Sequence, residues 1–100
     1  MIKIAILGAG AIADAHIQSY RKFKDRCDVV AVVDLYPEKA AEKVAKHSLR
    51  AAVFKDLPAA IGQADFDAAS VCLPPFEHAQ ATIGLLRAGN PLYCSPEQLE

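Results

Sequence analysis

The feature that most constrains this chain is a junction. A largely apolar run, Ile2-Lys3-Ile4-Ala5-Ile6-Leu7, opens directly into Gly8-Ala9-Gly10-Ala11-Ile12-Ala13. The pattern G-x-G-x-x-A, set between a strand-like run and a helical one, marks backbone that must turn sharply and be closely approached. Gly8 permits the tight turn out of the strand. Gly10 lets the backbone come near a pyrophosphate where a Cβ would clash, and Ala13 is small enough for the helix to pack closely on the first strand. A second apolar run, Val29-Val30-Ala31-Val32-Val33, ends in Asp34, 21 residues beyond Ala13. That spacing is close to the roughly 20 expected between a dinucleotide-binding glycine turn and the acid that accepts from a ribose hydroxyl. Strand, glycine turn, helix, strand and acid follow in the required order. This favours a nucleotide site over a plain glycine-rich turn.

The alternation continues along the chain. Pro37 suits the first position of a second helix, whose small-residue stripe is Ala40, Ala41, Val44 and Ala45, with Glu38, Lys39, Glu42 and Lys43 outside. A short strand is expected at about 51–54, and Asp56 should cap a short helix reaching about Gln63. Ala68–Leu73 reads as a buried strand, broken by Pro74-Pro75. A helix from about Phe76 to Arg87 should turn Ala79, Ile83 and Leu86 inward, and Gly89-Asn90 ends it. Leu92-Tyr93-Cys94 is a last short strand. The fold class this implies is α/β, a doubly wound parallel sheet of Rossmann type with strand order 3-2-1-4-5, in a single dinucleotide-binding domain over residues 1–100. The crossover between strands 1 and 4 opens a crevice at their carboxyl ends.

The glycine turn and the segment Leu73-Pro74-Pro75-Phe76-Glu77-His78 converge on that crevice. The candidate cofactor-binding residues are therefore Gly8, Gly10, Ala11 and Ile12 in the turn, Asp34 and Leu35 after strand 2, and Leu73, Pro74 and His78 after strand 4. His78 has an equal alternative as a histidine bonding nearby backbone in the first turn of its helix. His16 reads as packing under the glycine turn, and Asp14 as complementing the helix dipole. No residue is assigned a catalytic role.

Composition narrows the partners. With 53% hydrophobic and 23% charged residues the chain is an ordinary globular one, and a net charge of −1 gives no electrostatic case for nucleic acid or an anionic membrane. The basic cluster Arg21, Lys22, Lys24 and Arg26 is expected in the last turns of the first helix. The amino-terminal apolar run is too short for a secretory segment or a membrane span. Cys27, Cys72 and Cys94 are odd in number and form no C-x-x-C pair, which points to a reducing cytoplasm. His16, His47 and His78 show no metal-ligand spacing, so no metal site is expected.

Several separate segments carry a family resemblance: Ile6–Ala13, His16, Val32-Val33-Asp34, Leu73-Pro74-Pro75-Phe76-Glu77-His78-Ala79 and Leu86-Arg87-Ala88-Gly89. Through them, residues 2–90 closely resemble the amino-terminal domain of the glucose–fructose oxidoreductase and inositol dehydrogenase (Gfo/Idh/MocA) family. The resemblance implies a domain that binds NAD or NADP and is joined in family members to a carboxy-terminal substrate domain. It also implies a parent activity of hydride transfer between the nicotinamide and sugars, cyclitols or related hydroxy compounds.

The match lapses where that chemistry is centred. Family members usually follow strand 5 with Glu-Lys-Pro, whose lysine assists proton transfer, whereas here Tyr93-Cys94-Ser95-Pro96-Glu97 stands, with no lysine after Lys55. The expectation is a cofactor domain without its substrate domain, not catalytic as this chain alone. A free-standing nucleotide-binding or protein-interaction module is the alternative. Asp34 without a nearby arginine predicts NAD in preference to NADP. An uncovered edge at Leu92–Cys94, with Leu73 and Phe76 beside it, predicts a homodimer.

Overall fold

The computed structural model describes residues 2–72, 83, 84, 87 and 92–94. Its elements are β1 (Ile2–Leu7), α1 (Ala11–Arg21), β2 (Cys27–Val33), α2 (Pro37–Lys46), β3 (Ala52–Phe54), α3 (Leu57–Gln63), β4 (Ala68–Val71) and β5 (Leu92–Cys94). Residues 83, 84 and 87 are also helical. All strand pairs are parallel and the order is β3-β2-β1-β4-β5, the doubly wound arrangement that the alternation of short apolar runs and helices implies.

Each face of the sheet carries its own core, as a parallel sheet covered on both sides requires. On one face Ile4, Ile6, Val29 and Val32 pack under Ala13 and Ile17 of α1 and Ala40 of α2. On the other, Ala5, Leu7, Ala31, Val33, Ala69 and Val71 pack under Ala60 of α3 and Phe66. Val29 and Val32 share a face although they are three apart. The reason is a register shift: Ile4 pairs with Val29 but Ala5 with Ala31, which leaves Val30 as an extra residue. Ser70 is fully buried on the α1 side, and its hydroxyl is satisfied by a hydrogen bond with the Tyr20 hydroxyl.

Helix ends differ in how closely they follow their local chemistry. Asp56 caps α3, its carboxylate accepting from the Ala59 N–H at 2.9 Å. The first helix stops at Arg21, so Lys22, Lys24 and Arg26 lie in a hydrogen-bonded turn beyond it rather than in its last turns. That turn is closed by Arg26 N–H donating to Phe23 C=O at 2.8 Å and Cys27 N–H to the same oxygen at 2.8 Å. In α2, Ala41 and Ala45 are exposed, and the inward positions fall instead on Ala40, Val44 and, unexpectedly, Lys43.

At the end of α2, Ser48 adopts φ 53°, the left-handed conformation that favours glycine. Leu49 N–H donates to Val44 C=O at 2.9 Å and Ser48 N–H to Ala45 C=O at 3.3 Å, the two bonds of a Schellman cap. Ser48→Gly should therefore raise stability by about 0.5–1 kcal/mol, because glycine carries no Cβ penalty there. Urea denaturation checks this, and an unchanged or lower midpoint would contradict it.

Ile83 is half exposed, not turned inward as the sequence predicts. Gly84 beside it is half-buried, and a Cβ there would stand 3.1 Å from Leu57 Cδ2, so the leucine side chain would have to give by a few tenths of an ångström. Ala79 and Leu86 fall outside the described residues. So do Leu73 and Phe76 and the side chains of Leu92, Tyr93 and Cys94, on which the expectation of a homodimer rests.

Candidate nucleotide site

The carboxyl ends of four adjacent strands, β3, β2, β1 and β4, are tied together. Gly8 N–H donates to Val33 C=O at 2.7 Å, Cys72 N–H to Leu7 C=O at 2.7 Å, and Asp34 N–H to Phe54 C=O at 3.1 Å. These bonds hold the glycine turn between the ends of β2 and β4, at the point where the strand order reverses. Gly8 has φ 99°, so the tight turn depends on a conformation that L side chains rarely adopt. Gly10 is different. It is the N-cap of α1 with φ −82° and ψ −170°, ordinary extended backbone.

What Gly10 provides is room. Among the described residues no heavy atom lies within 4 Å of the place a Cβ would occupy, and Gly10 is exposed. It also has no side chain with which to cap the N-terminus of α1. The first N–H groups of an α-helix have no intrahelical acceptor, and here they belong to Ala11 and Ile12 at the mouth of the turn. The Ile12 side chain packs against the α1-side core, so its contribution to the crevice is backbone. An uncapped helix start with open space before it is suited to an anion, through oriented N–H groups and the positive end of the dipole.

Asp34 faces the same turn. Its Oδ2 accepts from Ala9 N–H at 2.8 Å and its Oδ1 from Tyr36 N–H at 2.8 Å, the latter an Asx turn. The carboxylate thus joins the glycine turn to the start of the β2–α2 loop. An ionised carboxylate offers about four lone-pair sites, so two such bonds leave capacity for a ligand hydroxyl. Leu35 and Tyr36 beside it are more than half exposed, and Lys39 Nζ stands 5.2 Å from the centroid of the Tyr36 ring. Gly8, Gly10, Ala11, Ile12, Asp34 and Leu35 are therefore gathered around one end of the sheet. Leu73, Pro74 and His78 lie outside the described residues.

A cluster that sequence reasoning missed adjoins this site. Asp14 of α1 accepts from Lys43 Nζ at 2.7 Å and from His47 Nε2 at 2.7 Å, with Lys46 Nζ at 3.3 Å. Hydrogen bonds from His47 and then Lys43 hold the Asp14 carboxyl well below the usual carboxylate range. Asp14 is thus engaged by the second helix and is not simply a dipole partner. His47 is buried, and Cys72 is buried among the α1-side core residues. Among the described residues, no group of His, Cys, Asp and Glu could hold a metal ion, and no helix is long and apolar enough to cross a membrane.

Comparison with known proteins agrees with this geometry. Residues 2–95 match the family described as "Oxidoreductase family, NAD-binding Rossmann fold", the Gfo/Idh/MocA model. The chain belongs to this oxidoreductase family. Inositol 2-dehydrogenase of Pseudomonas savastanoi pv. phaseolicola is 33% identical over 93 residues, which make up 93% of this chain and 28% of that protein. Among solved structures, this family domain resembles myo-inositol dehydrogenase from Lactobacillus casei in complex with NAD(H) and myo-inositol. There the TM-score is 0.89 at 26% identity, covering 98% of this chain and 29% of the other. It also resembles the WlbA dehydrogenase from Bordetella pertussis in complex with NADH and UDP-GlcNAcA, with TM-score 0.88, 25% identity and coverage of 97% and 29%. The family domain therefore spans between a quarter and a third of the length of these relatives.

Proposed function

We propose that this chain is the NAD-binding portion of a sugar- or cyclitol-type oxidoreductase, and that it binds the dinucleotide at the Gly8–Ala13 turn. The single observation that carries the reading is the combination at α1: a helix N-terminus with no side-chain cap from its N-cap residue, behind a glycine whose Cβ position is open among the described residues. The pyrophosphate takes the N–H groups of Ala11 and Ile12, and the backbone at Gly10 allows its approach. The adenosine ribose hydroxyls donate to Asp34, with Leu35 giving an exposed apolar surface beside them. Leu73, Pro74 and His78, which follow β4 in the sequence, are assigned to the same site. A nicotinamide held there supplies the hydride acceptor or donor, while the proton-transfer groups and the substrate pocket belong to a substrate domain of the parent enzyme. This assignment is supported by the family's membership of inositol 2-dehydrogenases and by its NAD(H)-bound structural relatives.

The same geometry favours NAD over NADP. A 2′-phosphate would meet the Asp34 carboxylate, and charges about 4 Å apart near a protein surface repel by roughly 1–4 kcal/mol, or about one to three decades in affinity. Calorimetric titration of the chain with NAD and NADP tests both statements. NAD should bind and NADP should bind at least about tenfold more weakly. Absence of NAD binding would overturn the site, and equal affinities would show that Asp34 does not face the 2′ position.

A further inference from the structure

The cluster on Asp14 holds more positive charge than an interhelical ion pair needs. Lys43 and Lys46 both reach one carboxylate, at 2.7 Å and 3.3 Å, so two lysines face a single acid before His47 is considered. Lys43 keeps only 12% of its side chain exposed and His47 only 6%, so these groups are held in place rather than waving in solvent. Asp14 is the fourth residue of α1. At 1.5 Å per residue the cluster stands about 6 Å along the axis from the Gly10 cap, within a Debye length of the helix N-terminus.

We propose that the Asp14–Lys43–Lys46–His47 junction sets the charge felt by phosphate groups at the α1 N-terminus, the two lysines strengthening their binding and Asp14 limiting it. The inference rests on the nucleotide-site reading above and deepens it, by assigning an affinity-setting role to residues one turn along α1 and at the end of α2. It also makes sense of an acid so near the phosphate end of the site. A lone carboxylate at this point would repel a pyrophosphate, whereas here it is outnumbered by cations that it also fixes in place.

A purely mechanical junction, one that only ties α2 to α1, predicts a different pattern of effects. Loss of either partner would then loosen the same contact and weaken binding in the same direction. The electrostatic role predicts opposite signs. Lys43→Gln should weaken ADP and NAD by about three- to fivefold at low ionic strength, and Asp14→Asn should tighten them by a similar factor. The double variant should return close to the parent, and uncharged adenosine should be unaffected. Lys46→Gln, at a position 54% exposed and therefore safe for folding, should weaken ADP in the same direction as Lys43→Gln but by less.

The experiment is calorimetric titration of the full chain and these four variants with ADP, NAD and adenosine at about 0.01 M and about 1 M salt, between which the Debye length falls from about 30 Å to about 3 Å. Differences that appear at low salt and collapse at high salt support the proposal. If Asp14→Asn and Lys43→Gln both weaken ADP and adenosine alike at both salts, the junction is mechanical and the proposal is overturned. Should those variants fail to fold, unchanged ADP affinity in Lys46→Gln at low salt overturns it. A parent chain that binds neither ADP nor NAD would overturn the nucleotide site itself. Parent binding that no variant shifts would overturn this inference alone.

Discussion

A Gly10→Val chain should fold with nearly the parent's stability and lose NAD affinity by about a hundredfold or more, since a misplaced pyrophosphate forfeits several N–H contacts at once. The two halves of this expectation come from separate observations. Valine is at ease at φ −82° and ψ −170°, and among the described residues no heavy atom lies within 4 Å of its Cβ. The folding cost is then limited to a poorer N-cap, about 1 kcal/mol or less. The same open space is where a dinucleotide must come close, and valine's methyl groups would fill it. Gly8→Ala makes the contrast. Gly8 has φ 99° and is buried, so alanine there should cost about 1 kcal/mol or more in stability whether or not ligand is present. Urea melts and calorimetry on both variants separate the glycine that folds the turn from the glycine that leaves room beside it. A folded Gly10→Val chain that binds NAD normally would exclude the proposed pose.

The parts of the fold that could be read in the sequence were those decided by local chemistry. Asp56 caps α3 because a carboxylate before Leu57-Pro58 meets free N–H groups wherever the chain goes next. The strand order followed from short apolar runs separated by helices, since parallel strands need crossovers of one hand. Gly8 and Asp34 were legible because a tight turn and an acid after the second strand occur at a characteristic separation.

Tertiary effects were not legible. The extra residue Val30 is hidden in a continuous apolar run, where neither face differs in polarity and nothing marks the register. Size alone points Ile83 inward, yet it is half exposed, while the half-buried neighbour that meets Leu57 of α3 is Gly84. Charge alone points Lys43 outward, yet its partner Asp14 lies 29 residues earlier, on a helix that only the folded sheet brings alongside. His47 carried no signal, because no metal-like spacing surrounds it and its role is to donate to that same distant acid.

Asp34 combines the two kinds of information, and replacing it should produce a second large effect. Its carboxylate is already bonded to Ala9 N–H and Tyr36 N–H, so it shapes the turn and the following loop before any ligand arrives. Asp34→Ala removes both acceptors. Ala9 is buried, and its N–H would be left without this partner, at a cost of about 2 kcal/mol in stability. Binding should change more distinctively than stability. NAD weakens through loss of the ribose contact and NADP is relieved of repulsion, so a ratio of one to three decades should shrink to within about threefold. Asp34→Asn is the sharper probe. One amide oxygen can still accept from Ala9, so stability should fall by about 1 kcal/mol or less while the repulsion of a 2′-phosphate disappears with the charge. Discrimination should therefore collapse in Asp34→Asn almost as fully as in Asp34→Ala, though the two variants differ in their denaturation midpoints. If discrimination instead tracked stability across the pair, the carboxylate would be acting through the shape of the loop, and the charge-repulsion account of NAD preference would fall.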